Sequence, residues 1–176
     1  MTAALAWARV RPLGSVLAAA LAAAVLVRYG PGAAGMIAAF TCAVVVVLSL
    51  IDFESRRLPN RIVLPTAALV LAARLASDPE HWATWVGAGA GAFACFLLLA
   101  LVYPGGMGMG DVKLALLLGV ALGSAVVPAL MIGTVAAALA GIVLLVREGS
   151  AARGRSIPFG PFLSFGAVAA ILLLTP

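Results

Sequence analysis

The sequence predicts an all-α, polytopic integral membrane bundle of about six or seven transmembrane helices with a cytoplasmic N-terminus. Three observations carry that expectation. Hydrophobic residues make up 65% of the chain and charged residues 10%, where soluble domains carry about 25% charged residues. The mean hydropathy is +1.22, and apolar runs of near-spanning length recur from one end of the 176 residues to the other. The basic residues lie between these runs in loops that alternate onto one face, as the positive-inside rule requires. A net charge of +5 is compatible in principle with nucleic acid, but the cations form no patch with interleaved aromatics, so no nucleic-acid partner is expected. Cys42 and Cys95 each stand alone in an apolar run, with no CxxC and no histidine at ligand spacing, and read as buried apolar cysteines. Neither a metal nor a cofactor is expected. The chain has room for one membrane domain, residues 1–176, comprising an N-terminal helix over 1–30 and a core over 33–176.

Taken in order, Arg9 and Arg11 precede an apolar run from Leu13 to Val27 of about 15 residues, marginal for a span. A charged segment before a short apolar run fits a signal peptide or a first helix. A retained helix is favoured, because Arg28 follows directly and the rest of the chain is also membrane-embedded. Gly30-Pro31-Gly32 breaks the chain, and a second span runs from Ala33 to Ile51, ending at Asp52. The most polar segment follows, Asp52-Phe-Glu-Ser-Arg-Arg-Leu-Pro-Asn-Arg61, whose arginines Arg56, Arg57 and Arg61 mark a cytoplasmic loop.

A third span is predicted from Ile62 to Ala76. Asp78-Pro-Glu-His-Trp82 then forms a short loop on the opposite side, with Trp82 and Trp85 at the depth of an aromatic belt and His81 a solvated loop residue. The fourth span, Thr84 to Tyr103, contains Gly87, Gly89 and Gly91, small residues that let helix backbones approach closely in lipid. Beyond Asp111 the apolar sequence continues for some 35 residues, about 52 Å as one helix at 1.5 Å per residue, against a hydrocarbon core of about 30 Å. A break is therefore expected at Gly123-Ser124 and Pro128, between a short helix from Val112 to Leu122 and a full span to Val146. Arg147, Arg153 and Arg155 mark another cytoplasmic loop, and a last span starts at Ile157-Pro-Phe-Gly-Pro161.

The stretch Tyr103-Pro-Gly-Gly-Met-Gly-Met-Gly-Asp111 places a carboxylate at the mouth of an apolar helix. Charged groups near hydrocarbon cost about 2.5 to 3.5 kcal/mol on insertion scales, so a functional role is the first hypothesis. Gly105, Gly106, Gly108 and Gly110 lack a Cβ and let a second chain come close to the backbone. Asp52 and Asp111 both lie at cytoplasmic depth, so the topology permits them to face each other. Two adjacent carboxylates cannot both ionise, and one can act as base on a water while the other holds a proton. The competing readings are an N-cap for Asp111, juxtamembrane charges balancing Arg56 and Arg57 for Asp52 and Glu54, and a snorkelling cation for Lys113.

Three stretches together resemble the type IV prepilin peptidase family. They are Leu50-Ile-Asp-Phe-Glu-Ser-Arg-Arg-Leu-Pro-Asn-Arg61, Gly106-Met-Gly-Met-Gly-Asp-Val-Lys-Leu-Ala115 and Ile157-Pro-Phe-Gly-Pro-Phe162, in matching order and spacing over about residues 35 to 176. The resemblance implies a polytopic aspartic endopeptidase whose catalytic pair is Asp52 and Asp111. Gly108, Gly110 and Lys113 then belong to the active-site loop or the substrate-binding surface. The implied partners are the bilayer and a prepilin or pseudopilin, cut at the cytoplasmic face between a short basic leader and an apolar helix. Larger members carry paired CxxC motifs and also N-methylate the new terminus. This chain has no CxxC, so the closer match is a compact, peptidase-only form. For Ile157-Pro-Phe-Gly-Pro161, helix-start chemistry is favoured over a part in the active-site entrance. The rival class is a small transporter or channel component using the same carboxylates for cations or protons. It lacks support from any internal repeat.

Overall fold

The computed structural model describes residues 2–56, 58–103, 107–149 and 158–174. Arg57, Gly105, Gly106, Arg153, Arg155 and Ile157 lie outside them. The described residues form seven α-helices: α1 (Thr2–Tyr29), α2 (Ala33–Ser55), α3 (Asn60–Ser77), α4 (Trp82–Val102), α5 (Met109–Leu122), α6 (Val126–Glu148) and α7 (Gly160–Leu173). Single 3-10 turns at Pro79–His81 and Gly123–Ala125 lead into α4 and α6. Three helical stretches are long and apolar enough to cross a membrane: Ala33–Ser55, Pro79–Val102 and Met109–Glu148, the last interrupted by its 3-10 turn. Shorter apolar helices span Gly14–Tyr29 and Gly160–Leu173. Large apolar side chains such as Val27, Phe53, Val102 and Val146 stand on the outer surface, where lipid rather than water solvates them. The chain is a membrane protein.

The bundle is built around α5. Beyond Lys113 its residues are apolar on every face, a pattern that suits complete enclosure, and Val112, Leu114, Ala115, Leu117 and Leu118 are wholly buried. Helices α2, α3, α4 and α7 pack around it. In hydrocarbon there is little hydrophobic gain from helix association, so close packing of small residues must supply the attraction. That is what holds α4 to α5. A Cβ on Gly119 would lie 2.5 Å from the Ala88 carbonyl oxygen, and one on Gly89 would lie 2.5 Å from Val120 Cγ1. The α6–α7 crossing repeats the device, with Gly166 against the Ala129 carbonyl and Gly133 against that of Phe162. Of the three α4 glycines expected to seat a neighbour, only Gly89 does so; a Cβ at Gly87 or Gly91 would meet nothing within 4 Å.

The expected break falls at Gly123, whose φ of +58° is a backbone conformation that costs L-residues with a Cβ but not glycine. Pro128 is not the break, since it occupies the first turn of α6, where a missing N–H is harmless. The end of α5 leaves carbonyls without helical partners. Arg74 of α3 supplies one, donating from Nη2 to the Ala121 carbonyl at 2.6 Å while its guanidinium lies 4.3 Å from the Trp85 ring centroid. Trp85 is thus turned inward, whereas Trp82 stays on the surface. His81, exposed, contacts Asp78 at 2.8 Å. Cys42 is buried as expected, but Cys95 is exposed on the outer face of α4, on the side away from that helix's buried residues Gly89, Ala92 and Phe96.

Candidate active site

At the opposite end of α5 from Arg74, the ends of three helices converge. Asp52 lies in the last turn of α2 and is 6% exposed. The helix continues to Ser55, so the carboxylate projects from a regular turn. Its own carbonyl accepts the Arg56 amide at 2.8 Å, and Arg56 closes the helix in the left-handed region at φ 51°. The backbone N–H of Gly160, first residue of α7, donates to Asp52 Oδ2 at 3.1 Å. Two features of the local sequence make this contact possible. Pro161 follows in the first turn of α7, where its fixed φ favours helix initiation, and residue 160 has no side chain. A Cβ there would sit 2.6 Å from Asp52 Oδ2. The positive end of the α7 dipole is thereby directed at the carboxylate.

Asp111 stands half-buried in the first turn of α5. It is not the cap of that helix. Gly108 holds the N-cap position, its carbonyl accepting the Asp111 amide at 3.0 Å. The Asp111 side chain therefore stands at the favourable end of the α5 dipole.

The first turn of α5 is also fastened sideways. A Cβ on Gly110 would approach Leu58 Cβ to 3.0 Å, and Lys113 Nζ donates to Asn60 Oδ1 at 2.9 Å. The first turn of α5 and the Leu58-Pro59-Asn60 corner are therefore one packed unit. Asp52, Asp111, Gly108, Gly110, Arg56, Leu58 and Met109 line a single cavity of about 300 Å³, in which the two carboxylates are close enough for their charges to act on each other.

Four of the five residues singled out from the sequence thus meet in one cavity. The fifth, Lys113, points away from it onto Asn60, where it steadies the corner. Gly160 was missed. The Ile157-Pro-Phe-Gly-Pro161 segment does provide helix-start chemistry, yet it also delivers a hydrogen bond to Asp52. The signal available was a glycine directly before a proline at the start of an apolar helix, a place where a side chain is neither needed for capping nor for packing.

Residues 39–146, from within α2 to near the end of α6, match the model of the type IV leader peptidase family. The chain belongs to that family. Membership covers both aspartates and the glycine loop between α4 and α5. The curated proteins it is similar to include three called prepilin leader peptidase/N-methyltransferase. The one from Burkholderia pseudomallei (strain 1026b) is 34% identical over 94% of this chain and 55% of the relative. The one from Pseudomonas putida is 36% identical over 92% and 58%, and the one from Bacillus subtilis (strain 168) 30% over 92% and 65%. The chain thus spans between 55% and 65% of the length of these relatives. No solved structure matches it.

Proposed function

We propose that this chain is a membrane aspartic endopeptidase that removes the basic leader from type IV pilin-like precursors at the cytoplasmic face of the inner membrane. The observation that carries this reading is the meeting of Asp52 and Asp111, from separate helices, in one cavity rimmed by glycine backbone. In this reading the two carboxylates share one proton, and the pair titrates as a unit. The ionised member takes a proton from a water, whose oxygen attacks the scissile carbonyl carbon. The protonated member donates to the carbonyl oxygen as the tetrahedral intermediate forms. Collapse of that intermediate breaks the C–N bond, with a proton passing to the leaving amine. The Gly160 amide holds Asp52 Oδ2 in place and leaves Oδ1 for the water.

Gly108 and Gly110 keep the cavity open along the α5 loop, so an extended peptide can lie against the backbone. The names of the curated relatives supply the substrate class, a prepilin leader junction. In this reading the basic loops face the cytoplasm, as does the N-terminus, and two carboxylates with one water suffice without a metal.

The test is cleavage of a pilin-like precursor in membranes holding the full chain. Asp52→Asn and Asp111→Asn should each abolish cleavage while expression and helical content are unchanged. Asp→Glu at either site should also fail, because the longer side chain moves the carboxyl group by about the distance that near-attack geometry forbids. Cleavage near the wild-type rate in either Asn variant would end the aspartic-protease reading.

A further inference from the structure

A second, larger cavity lies on the outer surface of the bundle. It is an apolar groove of about 780 Å³ between the outer faces of α4 and α6. The α4 wall carries Ala83, Gly87, Gly91, Cys95 and Leu99, all exposed and four residues apart. At 1.5 Å per residue that stripe extends about 24 Å, most of a hydrocarbon core of about 30 Å. The groove ends at Met107 and Phe159. These are the chain neighbours of Gly108, whose carbonyl accepts the Asp111 amide, and of Gly160, whose N–H donates to Asp52. At that end of the groove Phe159 packs against Phe96 with ring centroids 6.3 Å apart.

We propose that this groove receives the apolar helix of the substrate, running along α4 from the scissile bond into the membrane. The inference rests on the peptidase reading above and adds where the membrane-embedded part of the substrate lies. Two features favour a helix over a lipid chain. First, α4 already shows what its glycines do when a helix is present: Gly89 seats α5 at backbone contact through Gly119. The opposite face offers Gly87 and Gly91 with open space before them, a surface on which a second helix backbone can come equally close. Secondly, the Met107 and Phe159 end of the groove is next in the chain to Gly108 and Gly160, which lie against the Asp111 and Asp52 carboxylates. A peptide held across Asp52 and Asp111 that continues as an apolar helix has this track immediately beside it.

Cys95 makes the inference testable with a native thiol, since Cys42 is buried. In membranes containing the full chain with Asp111→Asn, a pilin-like precursor carrying single cysteines along its apolar helix is oxidised to form disulfides. Crosslinks to Cys95 should recur every three to four residues on one face of the precursor helix. In the otherwise wild-type chain, Gly87→Leu and Gly91→Leu fill the groove where the backbone has space. Each should raise KM for the membrane-embedded precursor at least tenfold, with a much smaller change in kcat.

Wild-type cleavage with unaltered KM in both leucine variants and no periodic crosslink overturns the groove while leaving the peptidase reading standing. Crosslinking of Cys95 only to Cys95 of a second copy overturns it too, and assigns the face to self-association. So does protection of Cys95 from thiol reagents that is equally strong with and without precursor, which assigns the groove to lipid. Absence of any cleavage by the wild-type chain would instead strike the peptidase reading itself.

Discussion

Replacing Gly160 by alanine tests whether the start of α7 sets the position of the candidate nucleophile-activating pair. By helix propensity alone the change should stabilise α7, by up to about 1 kcal/mol at an interior position and less in the first turn. The tertiary contact opposes it. The new methyl carbon would stand 2.6 Å from Asp52 Oδ2 and 3.1 Å from its Cγ, so either the carboxyl group rotates or the end of α7 withdraws. Both outcomes break the 3.1 Å amide-to-carboxylate hydrogen bond. Bonds to a charged acceptor contribute about 1.5 to 3 kcal/mol, so the net loss of stability is about 1 to 2 kcal/mol after the propensity gain. The catalytic effect is larger, because a displacement of about 1 Å can cost about 10²-fold in rate. The assay is cleavage of a membrane-embedded precursor with kcat and KM resolved, beside thermal unfolding in detergent. A fall in kcat of about 10²-fold with KM nearly constant is expected. Retention of kcat within twofold of wild type would refute the idea that the α7 terminus positions Asp52.

The remaining predictions use other contacts. Gly119→Leu drives a side chain into the Ala88 carbonyl, which lies 2.5 Å from the Cβ position; overpacking of this kind costs about 1 to 3 kcal/mol or more, visible as a lower unfolding temperature. Gly87→Ala, into open space, should leave that temperature unchanged. Arg74→Leu orphans the Ala121 carbonyl and should cost about 1 to 3 kcal/mol, measured by the same melt. Because the contact lies at the far end of α5 from the aspartates, KM should be nearly constant. Lys113→Ala and Asn60→Ala each remove the same 2.9 Å hydrogen bond; their effects on cleavage should be modest, and the double variant should be no worse than the more impaired single one.

Much of this architecture is legible in the residues. The apolar runs and their Gly/Pro punctuation place all seven helices, and the 35-residue run past Asp111 forces a break that falls at Gly123. Asp52 and Asp111 stand out because a carboxylate beside hydrocarbon needs a reason. What could not be read has a common cause. A helix that is apolar on every side has no preferred face, so nothing in Gly87-Ala-Gly-Ala-Gly91 says that Gly89 turns inward while Gly87, Gly91 and later Cys95 turn out. Gly160 lies 108 residues from Asp52, and a backbone amide leaves no trace in side-chain chemistry. The start of α5 at Met109 moves Asp111 from the cap into the first turn, a shift of a few residues that pattern alone does not resolve. Arg74 could have been noticed, as a cation inside an otherwise apolar run invites a search for its partner.

The shortness of α5 has a consequence for the lipid around it. Fourteen residues make a cylinder about 21 Å long, some 9 Å less than a typical hydrocarbon core. A helix in contact with lipid would answer such a mismatch by thinning the bilayer locally. Helix α5 is sheathed by its neighbours, so the deficit appears inside the protein, as recesses at its two ends. Arg74 and Trp85 line one recess and the two aspartates line the other. For the peptidase proposed above, acyl-chain length should then change how far a leader peptide must descend to reach the aspartates, and turnover measured in bilayers of graded thickness should vary accordingly.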